Sequence, residues 1–140
     1  MVKVKELMTT AVVTASPDDS INDALEKMYA GRFRRIPVVY QGRLAGVITD
    51  RDIRQALNSP MLFRDRSYDD YVLHELKVGG SMTTDPLTVH PDAGLVEAAE
   101  MMEENRIGGL PVVANGALVG IITISDLMNH LIRMLREEPS

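Results

Sequence analysis

Apolar residues fall at Ile21, Ala24, Leu25 and Met28, the i, i+3, i+4, i+7 spacing of one helix face, and again at Leu95, Ala98, Ala99 and Met102. Acidic residues near both starts suit the positive end of a helix dipole. Ahead of each stripe lies a short β-branched run, Val12 to Thr14 and Leu87 to Val89, closed by Ser16-Pro17 and His90-Pro91. Proline disfavours helix in the residue before it, so each run predicts a strand that stops there. Behind each stripe come two apolar runs hinged at Gln41-Gly42 and Asn115-Gly116. Such steps predict two-residue hairpins, whose central positions both need positive φ. A second helix follows at Thr49 and at Thr123. The tail from Ser125 to Glu138 reads as one amphipathic helix with Leu127, Leu131, Met134 and Leu135 on one face, expected to be core or dimer contact. The helical methionines Met28, Met101, Met102, Met128 and Met134 are expected to fill core gaps.

The pattern is doubled in sequence as well as in period. Gly46 recurs as Gly120, an offset of 74 residues, and residues 8–53 slide onto 82–127 without a gap. Met8-Thr9-Thr10 maps on Met82-Thr83-Thr84, Thr14 on Thr88, and "IPVVYQGRLAGVIT" on "LPVVANGALVGIIT". "GVITDRDI" then recurs as "GIITISDL". The expected fold class is α/β (α+β): two β-α-β-β-α repeats related by a pseudo-twofold axis, with small sheets packed against helices. Residues 1–57 form the first repeat, 58–77 a connector with a short helix in "SYDDYVLHEL", and 78–140 the second repeat with its C-terminal helix.

Composition narrows the function classes. Of 140 residues 45% are hydrophobic and 25% charged, a globular balance. A net charge of −5 without a Lys/Arg block argues against nucleic acid or an anionic membrane surface as partner. The absence of cysteine excludes disulfides, thiolate metal sites and a Cys nucleophile. "MVKVKELMTT" has no apolar leader core and no run reaches membrane-span length, so a cytoplasmic protein is expected. His74, His90 and His130 are too scattered for a metal site, and no phosphate-loop, dinucleotide or nucleophile-elbow motif occurs.

The repeated Thr-x-x-Asp supports two accounts. As a capping box, the Thr49 and Thr123 hydroxyls take an amide of the first turn while Asp52 and Asp126 reach back. Against a cap alone stand the aspartate, one methylene shorter than the usual glutamate, and the strand glycines Gly46 and Gly120, which mark close approach of a backbone or a ligand. As a ligand site, the helix start suits a phosphate, and a carboxylate's two oxygens match the adjacent hydroxyls of a ribose. Arg51 beside Asp52 would offset phosphate charge; Ser125 holds that place in the second copy, so the two sites should differ.

In "RRIPVVYQGRLAGVITDRDI", "GGLPVVANGALVGIITISDL" and the stretches before them, nearly the whole chain resembles the paired cystathionine-β-synthase-type domains, called CBS pairs or Bateman modules. The connector, with "HELKV", is similar to small stand-alone bacterial CBS proteins related to acetoin-utilisation regulators, many of which carry a further C-terminal domain not seen here. The resemblance implies a cleft between the repeats that binds AMP, ADP, ATP, S-adenosylmethionine or a related adenosine ligand as a regulatory signal, with no cofactor required and no catalysis. By position, Asp52 and Asp126 would hold ribose, and Thr49 and Thr123 the phosphate or 5′ side. Backbone before the mid-repeat proline would line adenine across copies: Arg34, Arg35, Ile36 and Thr14 with Asp126; Gly108, Gly109, Leu110 and Thr88 with Asp52. Arg34 would reach the phosphate of the Asp52 site, making it the expected polyphosphate site. A homodimer and an unidentified protein partner are implied. The competing readings are an interaction scaffold whose motifs are caps only and, more weakly, an enzyme using the aspartates as acid or base.

Overall fold

The computed structural model describes residues 1–57 and 73–138. In order these form α1 (Val4–Leu7), α2 (Ile21–Gly31), β1 (Arg35–Tyr40), β2 (Arg43–Thr49), α3 (Asp50–Leu57), a 3-10 turn (Val78–Gly80), β3 (Thr83–Thr84), α4 (Leu95–Asn105), β4 (Gly109–Ala114), β5 (Ala117–Thr123) and α5 (Ile124–Glu137). Most of the connector, and with it most of "SYDDYVLHEL", lies outside the described residues; residues 73–75 are helical. The architecture is a mix of helices and antiparallel hairpins, as the doubled pattern implies.

The chain divides into two compact units that do not coincide with the sequence repeats. One holds Val13–Pro86; the other joins Met1–Val12 to Leu87–Ser140. Each repeat thus surrenders its leading segment to the other unit. Val78 lies in a core with Ala15, Ile21, Ala24, Met28, Ile36, Val38, Ile48 and Ile53. Val4, at the matching place in the repeat, lies in a core with Val89, Ala98, Met102, Leu110, Val112 and Ile122. Both valines are fully buried. Burial of a valine contributes about 1.5–3 kcal/mol, so each of these side chains anchors its borrowed segment, with Leu7 and Met8 in one unit and Met82 in the other packed against the same cores. Backbone bonds add to the anchors: Val4 N–H to Ala93 O at 2.9 Å in one unit, and Val78 N–H to Asp19 O at 2.8 Å in the other.

In the Val13–Pro86 unit, β1 and β2 form a hairpin closed by Gln41 and Gly42 at φ 50° and 78°. In the other, β4 and β5 close through Asn115 and Gly116 at φ 54° and 81°. Each hairpin carries a register shift at the same place, Val38/Val39 and Val112/Val113. The expected strands at Val12–Thr14 and Leu87–Val89 shrink to single parallel bridges one residue on or at the end, Ala15 to Val38 and Val89 to Val112. The prolines that follow lack an N–H and stop the ladder after one rung.

Of the two roles expected for the tail helix's apolar stripe, core or dimer contact, the exposure of its residues beyond Leu127 contradicts the first. Leu127 rests against the core, but Leu131, Met134 and Leu135 are 46%, 51% and 58% exposed and no residue of α5 is buried. Met28 and Met102 are core residues as expected, whereas Met128 and Met134 face solvent. Amphipathic spacing identifies an apolar face without saying whether the same chain covers it.

Candidate functional site

Each unit carries the same construction where its hairpin runs into a helix. Thr49 ends β2 and Asp52 lies in the first turn of α3. The Asp52 N–H donates to Thr49 Oγ1 at 3.1 Å, and the Thr49 N–H donates to Asp52 Oδ2 at 3.0 Å. In the other unit the Asp126 N–H donates to Thr123 Oγ1 at 3.3 Å, the Thr123 N–H donates to Asp126 Oδ2 at 2.8 Å, and the Thr123 hydroxyl donates to the same oxygen at 3.1 Å. The capping boxes are therefore complete, with aspartate in the place glutamate usually takes. The shorter side chain does not prevent the reciprocal bond, which corrects the expectation that its length argues against a cap.

The strand glycines have a backbone explanation too. A Cβ on Gly46 would lie 2.5 Å from Thr83 O, and one on Gly120 would lie 2.7 Å from Met8 Sδ and 3.0 Å from Thr9 O. What approaches is the borrowed segment: β3 pairs with β2 at Gly46 and Val47, and Thr9 pairs with Ile121. The glycines are accounted for by close chain packing and give no evidence of a ligand.

That segment also supplies a contact that motif reasoning missed. Thr83 Oγ1 donates to Asp52 Oδ1 at 3.2 Å and Oδ2 at 3.3 Å. Thr9 Oγ1 donates to Asp126 Oδ1 at 3.2 Å. The recurrence of Met-Thr-Thr signalled these residues, although nothing in the linear motif says which carboxylate they meet.

The remaining sequence candidates divide by unit. With Asp52 the structure brings Arg35, which faces Thr49 across the hairpin, and Arg34, whose carbonyl accepts the Asp50 N–H at 3.0 Å. Partial burial lowers the Arg35 guanidinium from its ordinary value, with Asp50 opposing the shift. Arg34 also lines a groove of about 370 Å³ with Leu25, Met28, Tyr29, Arg32, Phe33 and Asp50. Arg51 is exposed on the first turn of α3. Ile36 is fully buried, so only its backbone remains for recognition. Thr14 keeps its carbonyl engaged by Lys27 Nζ at 2.8 Å. With Asp126 lie exposed Ser125, Gly109 opposite Thr123, and Leu110, which is a core side chain. Gly108 O accepts the Ile124 N–H at 3.0 Å, matching Arg34 in the first copy. Thr88 is exposed, just before the Val89 bridge. The expected pairing of each aspartate with backbone of the other copy is a relation across units and is not part of either unit's geometry.

The sequence profile of the CBS domain matches residues 4–59 and 75–133. A CBS domain-containing protein of Dictyostelium discoideum is 39% identical over 140 residues, covering 99% of this chain and 97% of its own. Among solved structures, a candidate acetoin utilization protein (AcuB) from Vibrio cholerae superposes with a TM-score of 0.82 at 35% identity, covering 99% of both chains. CBSX2 of Arabidopsis thaliana, solved in complex with AMP, gives 0.81 at 28% identity over 97% of this chain and 100% of its own. The CBS domain pair of protein MJ0100, in complex with 5′-methylthioadenosine and S-adenosyl-L-methionine, gives 0.78 at 26% identity over 96% and 98%.

Proposed function

The chain belongs to the CBS domain family, and from that premise we propose that it is a cytoplasmic regulatory module that binds an adenosine-containing ligand at its two Thr-x-x-Asp helix starts. The observation that carries the reading is the duplicated, partly exposed carboxylate, set in both units at the end of a hairpin and the start of a helix. That position combines acceptors for a ribose diol with the amides and dipole of a helix N-terminus for a phosphate. The adenine ligands of CBSX2 and MJ0100 support the ligand class.

Asp52 and Asp126 hold ribose in this reading, and Thr49 and Thr123 face the 5′ side. Arg51 and Arg34 make the Asp52 site the one for ADP or ATP, since Ser125 and Gly108 bring no charge to the other. Occupancy controls a partner only if the ligand binds two states of the protein with different affinity. The exposed apolar face of α5 suits a second copy of the chain, giving a homodimer.

A scaffold reading is favoured by one observation: among the described residues, both aspartates already take part in complete capping boxes. Thermal unfolding with AMP, ADP, ATP and S-adenosylmethionine separates the two. A ligand at 100 times its Kd adds about 2.7 kcal/mol, a rise of several degrees in Tm. No shift with any of the four supports the scaffold.

A further inference from the structure

Resting on the reading that the two aspartates take a ribose, we propose that the Thr83 and Thr9 hydroxyls are exchangeable place-holders on those carboxylates, displaced by a cis-diol, and so set each site's preference between ribose and deoxyribose.

A carboxylate offers about four lone-pair positions, two on each oxygen. Among the described residues, Asp52 Oδ2 accepts the Thr49 N–H and the Thr83 hydroxyl, and Oδ1 accepts the same hydroxyl in a three-centre bond. Asp126 Oδ2 accepts the Thr123 N–H and hydroxyl, and Oδ1 accepts the Thr9 hydroxyl. By this count three of the four positions are taken in both cases. One incoming hydroxyl fits beside these donors; a second requires the Thr9 hydroxyl to leave Asp126 Oδ1, and at Asp52 requires the Thr83 hydroxyl to give up its shared hold on the two oxygens.

The donors differ in how readily they leave. The Thr49 and Thr123 N–H bonds belong to the capping boxes, and the Thr123 hydroxyl is held beside Asp126 by accepting its N–H, so losing the amide bonds unties a helix start. The Thr83 and Thr9 hydroxyls are neutral, are held in exposed bonds, and rotate to water at small cost. Nor does the borrowed segment need them for its place. Thr83 and Thr84 are paired with Val47 and Gly46 of β2, and Thr9 exchanges two backbone bonds with Ile121, at 2.8 and 2.9 Å. The hydroxyls are therefore free to be traded while the strand stays in register. A hydroxyl that competes with the ligand weakens diol binding by about fivefold, because its exposed bond to the carboxylate is exchanged for one to water and only the small net difference is lost.

The test titrates AMP, 2′-deoxy-AMP and 3′-deoxy-AMP calorimetrically into the wild type, the Thr9→Val/Thr83→Val double variant and the Thr9→Ser/Thr83→Ser double variant. The valine variant is expected to bind AMP about fivefold tighter with both deoxy ligands unchanged, raising the AMP-to-deoxy ratio fivefold; the serine variant should match wild type. Unchanged or weaker AMP binding by the valine variant, or an equal change for all three ligands, overturns the proposal, because the hydroxyls would then not compete with the diol but position the site or merely stabilise the fold. If the valine variant does not fold, Thr9→Ala/Thr83→Ala is read by the same ratio. The underlying reading is judged apart: AMP binding by wild type that is lost in Asp52→Asn/Asp126→Asn upholds it whatever the threonine variants do. Absence of binding of all three ligands to wild type sinks both.

Discussion

The Thr9 hydroxyl donates to Asp126 Oδ1 at 3.2 Å across 117 residues of sequence, and the Thr83 hydroxyl makes the matching contact with Asp52 across 31. The repeats have thus exchanged their leading segments, and each exchanged segment touches the side chain on which the functional reading depends. Stability of a unit and the state of its aspartate are coupled through that segment.

Val4 and Val78 are apolar anchors of the exchange, so Val4→Ala and Val78→Ala should each destabilise the protein by roughly 1.5–3 kcal/mol. Urea unfolding measures the loss. A change below about 0.5 kcal/mol at either position would show that the segments are held without these side chains.

Gly46 and Gly120 differ in what an added methyl meets, and the variants should differ accordingly. Gly46→Ala drives its Cβ into a backbone oxygen at 2.5 Å, while the nearest atom at Gly120 is the flexible end of Met8. We expect Gly46→Ala to cost about 1–3 kcal/mol and Gly120→Ala less. Equal Tm losses, or the reverse order, would contradict the packing account of these glycines.

The two hairpins give an internal comparison. Gln41 holds φ 50° where the second copy has Asn115 at 54°, and asparagine tolerates this left-handed region better than glutamine. Gln41→Asn should therefore raise stability by roughly 0.5–1 kcal/mol, seen as a higher midpoint in chemical denaturation.

Lys5 ties the N-terminal segment to the second repeat through Asp92, Nζ to Oδ1 at 3.0 Å. The hydrogen bond and charge of Lys5, aided by Lys3 and His90, hold the Asp92 carboxyl below its ordinary value. A carboxyl lowered in the folded state contributes stability above its unfolded value and loses it as pH falls through the folded value. Carboxyl-carbon NMR should show Asp92 titrating at lower pH than an ordinary aspartate, and Lys5→Met should move it back up. Because the pair is exposed, added salt should shrink the shift.

Much of the fold was legible because its signals are local. The stripes at Ile21–Met28 and Leu95–Met102 became α2 and α4, and the residues at Gln41-Gly42 and Asn115-Gly116 adopt the positive φ their hairpins require. Where the answer depended on a distant partner, local pattern gave out. The constant offset aligned Met8 with Met82 but carried no information on which copy each would pack against. The stripe of α5 showed a face without its cover, and Gly46 showed a close approach without saying of what. At the site, Thr49, Asp52, Thr123 and Asp126 were found from spacing because a capping box lies within one turn. Thr9 and Thr83 were not, because their partners are remote in the chain.

The central claim is that Asp52 and Asp126 bind an adenine nucleotide's ribose as well as capping their helices. Calorimetric titration of AMP into wild type and into Asp52→Asn/Asp126→Asn tests it most directly, since asparagine keeps an acceptor for the Thr49 and Thr123 amides but removes the charge. Loss of one charge-assisted bond of about 1.5–3 kcal/mol predicts AMP affinity at least tenfold weaker in the variant, with stability changed by no more than about 1 kcal/mol. Equal AMP affinity in the two proteins, or no binding to either, would contradict it.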